Sequence, residues 1–118
     1  MEIKREIIFF GDYFENFFKT LDDKTKNKVD EILYFISILD IIPAKYLKKI
    51  INTKDLYEIR IEYKSNIYRI FCCLDDDKLI ILFNGFQKKT QKTPKKEIEK
   101  AERIMNEYFE RKLKSNGN

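Results

Sequence analysis

Tyr57-Glu58-Ile59-Arg60-Ile61-Glu62-Tyr63, Ile67-Tyr68-Arg69-Ile70-Phe71-Cys72-Cys73-Leu74 and Leu79-Ile80-Ile81-Leu82-Phe83 are three β-favouring runs separated by two short polar stretches. In the first run Tyr57, Ile59, Ile61 and Tyr63 alternate with Glu58, Arg60 and Glu62. That period of two belongs to a strand with one buried and one wet face. The second run is apolar on both faces except at Arg69, and the third is almost continuously apolar before Asn84-Gly85 ends it. Lys64-Ser65-Asn66 and Asp75-Asp76-Asp77 are too short for a crossover and read as turns, so the three strands form an antiparallel meander.

Working outward, 3–10 reads as a first strand rich in isoleucine and phenylalanine, closed by Gly11-Asp12 and joining a sheet edge. Asp12 caps a short helix through Leu21, with Phe14, Phe17, Phe18 and Leu21 on one face. Asp22-Asp23 begins the next helix, spanning 24–40, whose stripe is Val29, Ile32, Leu33, Ile36 and Leu39, and Pro43 stops it. Phe35 and Ile38 lie off that stripe, as secondary core or as an apolar patch for a partner. A basic loop with Lys45, Lys48, Lys49 and Lys54 follows. Past the strands, Thr93 is placed to cap a final helix with Pro94 at its first position. Glu97 and Glu99 favour its positive end, and Ile98, Ala101, Met105 and Tyr108 line one face. The order β-α-α-β-β-β-α predicts an α+β domain over 1–114, with a small, mainly antiparallel sheet, two N-terminal helices, a C-terminal helix and a frayed tail at 115–118.

The chain has 118 residues, 43% hydrophobic and 37% charged, too apolar for disorder and too charged for a membrane protein. No apolar run reaches the roughly 18 residues of a span, and the mixed charges of Met1-Glu2-Ile3-Lys4-Arg5-Glu6 are unlike a signal peptide, so a cytoplasmic location is expected. Adjacent Cys72 and Cys73 point to opposite faces of a strand and read as small buried hydrophobes. Net charge is only +4, but 44–54 carries four lysines and no acid, and 86–96 carries five and no acid. Such segments suit a polyanion, or equally a solvated basic face.

The chain has no histidine, which excludes a histidine acid/base pair, a Ser-His triad and a histidine metal site. Its three glycines are isolated, so no phosphate-cradling loop exists. What remains is cationic. Arg60 on a polar strand face, Arg69 on the next strand and Lys88, Lys89 and Lys92 beyond the third can converge on one sheet face to grip phosphates and stabilise a phosphorane. Tyr57, Tyr63, Tyr68 and Phe86 can stack splayed bases, although tyrosines in such positions are more often core edges. Arg60 between two glutamates can also be a plain ion-pair partner, whereas Arg69 in an apolar strand must find an anion or line a cleft.

The runs Leu56-Tyr57-Glu58-Ile59-Arg60, Tyr68-Arg69-Ile70-Phe71 and Leu82-Phe83-Asn84-Gly85-Phe86-Gln87-Lys88-Lys89-Thr90-Gln91-Lys92-Thr93-Pro94, with Glu97-Ile98 and Ala101, together resemble the HigB-like, phage-derived branch of the RelE/ParE toxin superfamily. The resemblance implies a RelE-like fold and the toxin of a type II toxin-antitoxin system. In many members such a toxin cleaves mRNA in the ribosomal A site without metal or cofactor, by attack of the 2′-hydroxyl on the adjacent phosphate. It implies that Arg69 contacts the scissile phosphate, that Arg60 is a basic strand position, and that Lys88 and Lys89 are the basic pair after the last strand. Thr90, Lys92 and Thr93 belong to the motif. With Lys48, Lys49, Tyr57 and Tyr68, Thr90 and Lys92 are the expected RNA contacts. Two positions depart from the pattern: Glu58 stands where some relatives have a lysine, and no late tyrosine or histidine is matched. A lysine is then the expected proton donor or acceptor. The implied partners are the ribosome with its message and a small helix-turn-helix antitoxin, which can form a hetero-oligomer with the toxin. A gyrase-directed toxin and a non-catalytic RNA- or protein-binding module are the alternatives.

Overall fold

In the computed structural model, which describes residues 2–76 and 78–116, the chain runs β1 (Glu6–Phe9), α1 (Tyr13–Phe18), α2 (Asp23–Ile38), β2 (Leu47–Lys49), β3 (Tyr57–Tyr63), β4 (Asn66–Leu74), β5 (Leu79–Lys88) and α3 (Lys95–Asn116). The strands form one sheet in the order β1-β5-β4-β3-β2, antiparallel except where β1 runs parallel to β5. The α+β architecture is the expected one, with an added strand. Leu47–Lys49, read as basic loop, pairs with β3 as an edge strand. Three residues carry no periodic signal, and it is the neighbouring strand that makes them β.

Several boundaries follow from local hydrogen bonding. The Asp22 carboxylate accepts from the Thr25 N–H at 2.8 Å and starts α2. Asp12 stands at the N-cap of α1 without a capping side-chain bond, contrary to expectation; its backbone carbonyl receives the Asn16 N–H instead. The Pro94 carbonyl accepts the N–H groups of Glu97 and Ile98, so Pro94 itself takes the cap position and Thr93 lies outside α3. The helix continues through Ser115 to Asn116, while Gly117 and Asn118 lie outside the described residues. Lys64 and Ser65 both have positive φ, the two-residue reversal that suits right-twisted strands, and Asn66 already pairs with Tyr63. The second expected turn is described at Asp75 and Asp76; Asp77 lies outside the described residues. Across it, the Asp75 carboxylate accepts from the Tyr108 hydroxyl and the Lys112 ammonium, tying the β4–β5 connection to α3.

Strand alternation builds two cores. Ile59, Ile61, Tyr68, Ile70 and Leu82 face α1 and α2, whereas Phe71, Cys73, Ile81 and Phe83 face Ala101, Ile104 and Met105 of α3. Cys72 and Cys73 are buried free thiols on opposite faces, and burial pushes Cys73 up to about 12, so it stays protonated. Phe35 packs against Tyr46 and Ile38 is buried, so of the two readings it is the secondary core that the fold adopts. Tyr46, which packs on Phe35, belongs to the segment after α2, a contact that a helical stripe does not encode.

β5 does not end at Phe83 but continues to Lys88, paired with Ile67. Asn84-Gly85 is therefore not a turn. It lies at an irregularity in the β4–β5 pairing, and a Cβ on Gly85 would stand 2.6 Å from the Phe17 ring. Glycine is present because a core aromatic presses on the strand backbone. Gly85→Ala should lower stability by about 1–3 kcal/mol, read as a lower urea midpoint; an unchanged midpoint would contradict the close packing. The Lys112 and Tyr108 bonds hold the Asp75 pKa below its ordinary 3.8. A depressed carboxylate adds stability above its unfolded value and loses it as pH falls through the folded one. The wild type should therefore lose more stability than Asp75→Asn between about pH 5 and 2, with equal losses counting against the latch.

Candidate functional site

α3 covers only part of its face of the sheet. Beyond the Phe71–Phe83 layer that face continues with Glu58, Arg60, Arg69 and Lys88. Arg60 lies directly opposite Arg69 in the β3–β4 register, Arg69 opposite Phe86, and Ile67 joins Glu62 to Lys88 across three strands. Directly opposed residues project to the same side. The result is an open cleft of about 790 Å³ whose walls include Arg60, Glu62, Arg69, Lys88, Lys89 and Thr90. The extension of β5 to Lys88 is what places this lysine on the sheet.

At the floor of the cleft Arg69 is 2% exposed, and Glu58 is the anion it finds. One carboxylate oxygen, Glu58 Oε2, lies 3.2 Å from Arg69 Nε and 3.3 Å from Arg60 Nε. Neither Nε–H is aligned for a hydrogen bond, so the carboxylate holds both guanidiniums by charge at contact range. Arg69 Nη1 also donates to the Tyr68 carbonyl at 3.1 Å. Burial pulls the Arg69 pKa down, Glu58 works against that, and Arg60 adds to it; a guanidinium nevertheless remains charged. The Lys88 pKa is lowered by burial first, then by the Arg69 and Arg60 charges, with Glu58 in opposition.

Residues 16–106 match the family model described as phage-derived protein Gp49-like. The chain belongs to the Gp49-like family. Among solved structures, this Gp49-like chain is similar to one from the archaeal RelE-RelB complex of Pyrococcus horikoshii OT3. The TM-score is 0.52 at 15% identity, covering 70% of this chain and 93% of that one. It is also similar to a mutant of the E. coli toxin RelE in the free state, with a TM-score of 0.51 at 15% identity and coverage of 71% and 82%. No curated protein matches it in sequence. The RelE-like fold implied by the sequence motifs is thereby shown.

In the Gp49-like chain the sheet brings together Arg60, Arg69, Lys88 and Lys89 from the expected set, with Thr90 beside them and Lys92 outside the lining. The Thr90 hydroxyl donates to the Lys92 carbonyl at 2.7 Å and bends the loop, leaving Lys92 exposed beyond the cleft wall. Lys48 and Lys49 stand on the outer strand β2; Lys48 is in register with Glu58 on the cleft face, whereas Lys49 is opposite Tyr57, projects to the other face and pairs with Asp55 at 3.4 Å, contrary to the expected RNA contact. Tyr68 and Tyr57 are not base platforms. Tyr68 is buried against Phe17 and Tyr57 packs on the same core, on the α1–α2 side. Parity is the reason, because neighbours of Arg69 and Glu58 along a strand must point the other way. Phe86 keeps one ring face against Phe71, 5.7 Å away. Glu58 is the member that residue-by-residue reasoning missed. Its alternation with Arg60 placed it on the right face, but only the β3–β4 register brings it to Arg69.

The opposing influences on Lys88 give a test. Its ammonium should titrate below the ordinary 10.5, Glu58→Gln should lower it further, and Arg69→Ala should raise it, as followed by NMR of the lysine side chain. Unmoved titration in both variants would show that these groups do not share one field.

Proposed function

We propose that this protein is the toxin of a toxin-antitoxin pair and acts as a metal-independent, ribosome-dependent mRNA endonuclease. The observation that carries this reading is the convergence of Arg60, Arg69, Lys88 and Lys89 in one cleft at the uncovered end of the sheet. Backbone cleavage needs three things: a proton taken from the 2′-hydroxyl, stabilisation of the charge that develops on the phosphorane, and a proton for the departing 5′-oxygen. Arg69 and Arg60 meet the charge. Lys88, whose pKa is lowered by burial and by its cationic neighbours, has more neutral amine near pH 7 than an ordinary lysine and is the candidate for proton transfer. Lys89 supports it, while Thr90, Lys92 and Lys48 supply outer contacts to RNA. The ribosome positions the message, which removes the need for a deep substrate pocket.

A toxin of this kind requires a neutralising partner. One of the matched folds was solved as a RelE-RelB complex, and by analogy we assign this chain a small cognate antitoxin, of helix-turn-helix type, that forms a hetero-oligomer with it. The described residues include no helix long and apolar enough to cross a membrane, consistent with action on cytoplasmic ribosomes.

Expression without the antitoxin should arrest growth and cut translated messages within their reading frames. Arg69→Ala should lower cleavage at least about 10²-fold and Lys88→Ala about 10²- to 10⁴-fold in folded protein. Growth arrest with intact messages would overturn the reading, and loss of gyrase supercoiling in the same cells would replace it with a gyrase-directed toxin.

A further inference from the structure

We infer that Glu58 is a positioning residue that yokes Arg60 and Arg69 into a single two-armed phosphate site. The inference rests on the endonuclease reading above, and it gives a role to a residue that the basic motif leaves out.

Arg60 and Arg69 occupy directly opposed positions on neighbouring strands. Like charges in that relation repel, and without help the exposed arm of the pair would swing toward water. Arg60 is the free one, with its side chain 32% exposed, while Arg69 at 2% is confined. Glu58 sits two residues before Arg60 on the same face of β3, opposite the apolar Phe71, so no polar group across the β3–β4 pair competes for it. On its other side Lys48 shares its register in β2. Among the described residues, however, the ion pairs of Glu58 are those with Arg60 and Arg69. Glu62, the other carboxylate of the cleft, pairs with neither.

The geometry of the contact matters. Glu58 approaches both guanidiniums at Nε, through the same oxygen. The terminal Nη groups are left for other partners, and Arg69 commits one of its two to the Tyr68 carbonyl. Arg60 can therefore offer its terminal N–H donors directly to a phosphate, while Arg69, at the cleft floor, keeps its second Nη outside the Tyr68 bond, and one carboxylate oxygen ties the two arginines together. That is preorganisation of the charge-stabilising group, the arrangement that favours a transition state over a ground state. Because the carboxylate removes one unit of positive charge from the cleft, it sacrifices long-range attraction for RNA in exchange for alignment.

This exchange gives a signature that plain structural support does not. In cleavage of ribosome-bound message by purified protein, Glu58→Gln should lower kcat about 10- to 100-fold, while KM stays unchanged or falls because the cleft gains a net positive charge. Glu58→Asp keeps the charge, so Arg69 is not left unpaired and the fold is retained; the carboxylate recedes by one methylene, and kcat should be intermediate. The arginine Nε–H NMR signals of Arg60 and Arg69 should shift and exchange faster with water in Glu58→Gln. Unchanged or raised kcat in either folded variant would overturn the inference, a raised value marking Glu58 as a mere competing anion. Parallel loss of kcat, substrate affinity and melting temperature would reduce it to a structural ion pair, and disappearance of the acidic limb of the pH–rate profile would make it a proton acceptor instead. If the wild type itself cleaves nothing, the endonuclease reading fails, and the arginine signals alone decide the yoke: unmoved signals overturn it.

Discussion

A guanidinium buried in a β-sheet must have its charge answered, and the answer to Arg69 organises this molecule. Removing one partner of a buried ion pair costs about 3–5 kcal/mol, so the β3–β4 register, which brings Glu58 within 3.2 Å, is tied to the survival of the fold. The same register forces Arg60 opposite Arg69 and sends Tyr68 and Tyr57 to the far side. Sheet parity thus assigns one face to charge and the other to aromatic core, and α3 leaves the charged end uncovered. The cleft is the part of a two-sided sheet that the third helix does not reach.

This arrangement is poor for stability. Well-packed apolar residues in place of a buried ion cluster are often neutral or stabilising. Near the cleft Asn84 is buried with no partner among the described residues for either amide atom, which costs about 1–3 kcal/mol per group. Gly85 adds backbone entropy at the point where Phe17 presses on β5. The two hydrophobic layers and the Asp75 contacts to Tyr108 and Lys112 offset these costs from a distance. Both the glycine that admits Phe17 and the unpartnered buried amide lie on the strand that carries Lys88.

The meander, both amphipathic helices and the basic segment ending at Pro94 were legible in the sequence, because period-two and period-3.6 patterns and the capping Asp22 act locally. β2 was not, since Leu47–Lys49 becomes a strand only by docking on β3. The end of β5 was misplaced for a related reason. Asn84-Gly85 has turn composition, yet glycine serves there to admit an aromatic ring from α1. Ile104, a buried member of the α3 face, fell outside the expected stripe, while Phe35 was covered by Tyr46 from the segment after its helix.

Residue identity by itself determined the kind of chemistry available: no histidine, a single arginine in an apolar strand, and lysines concentrated just after the last strand. It also determined the family, through a combined motif. Which charges meet was decided only by tertiary structure. Glu58 and Arg69 are separated by a turn and part of two strands, and their contact depends on a register that a one-residue slip would reverse. Coulomb attraction acts across space, whereas sequence patterns report neighbours along the chain. The motif could therefore name the cations of the cleft, and only the folded sheet could name the carboxylate between the two arginines.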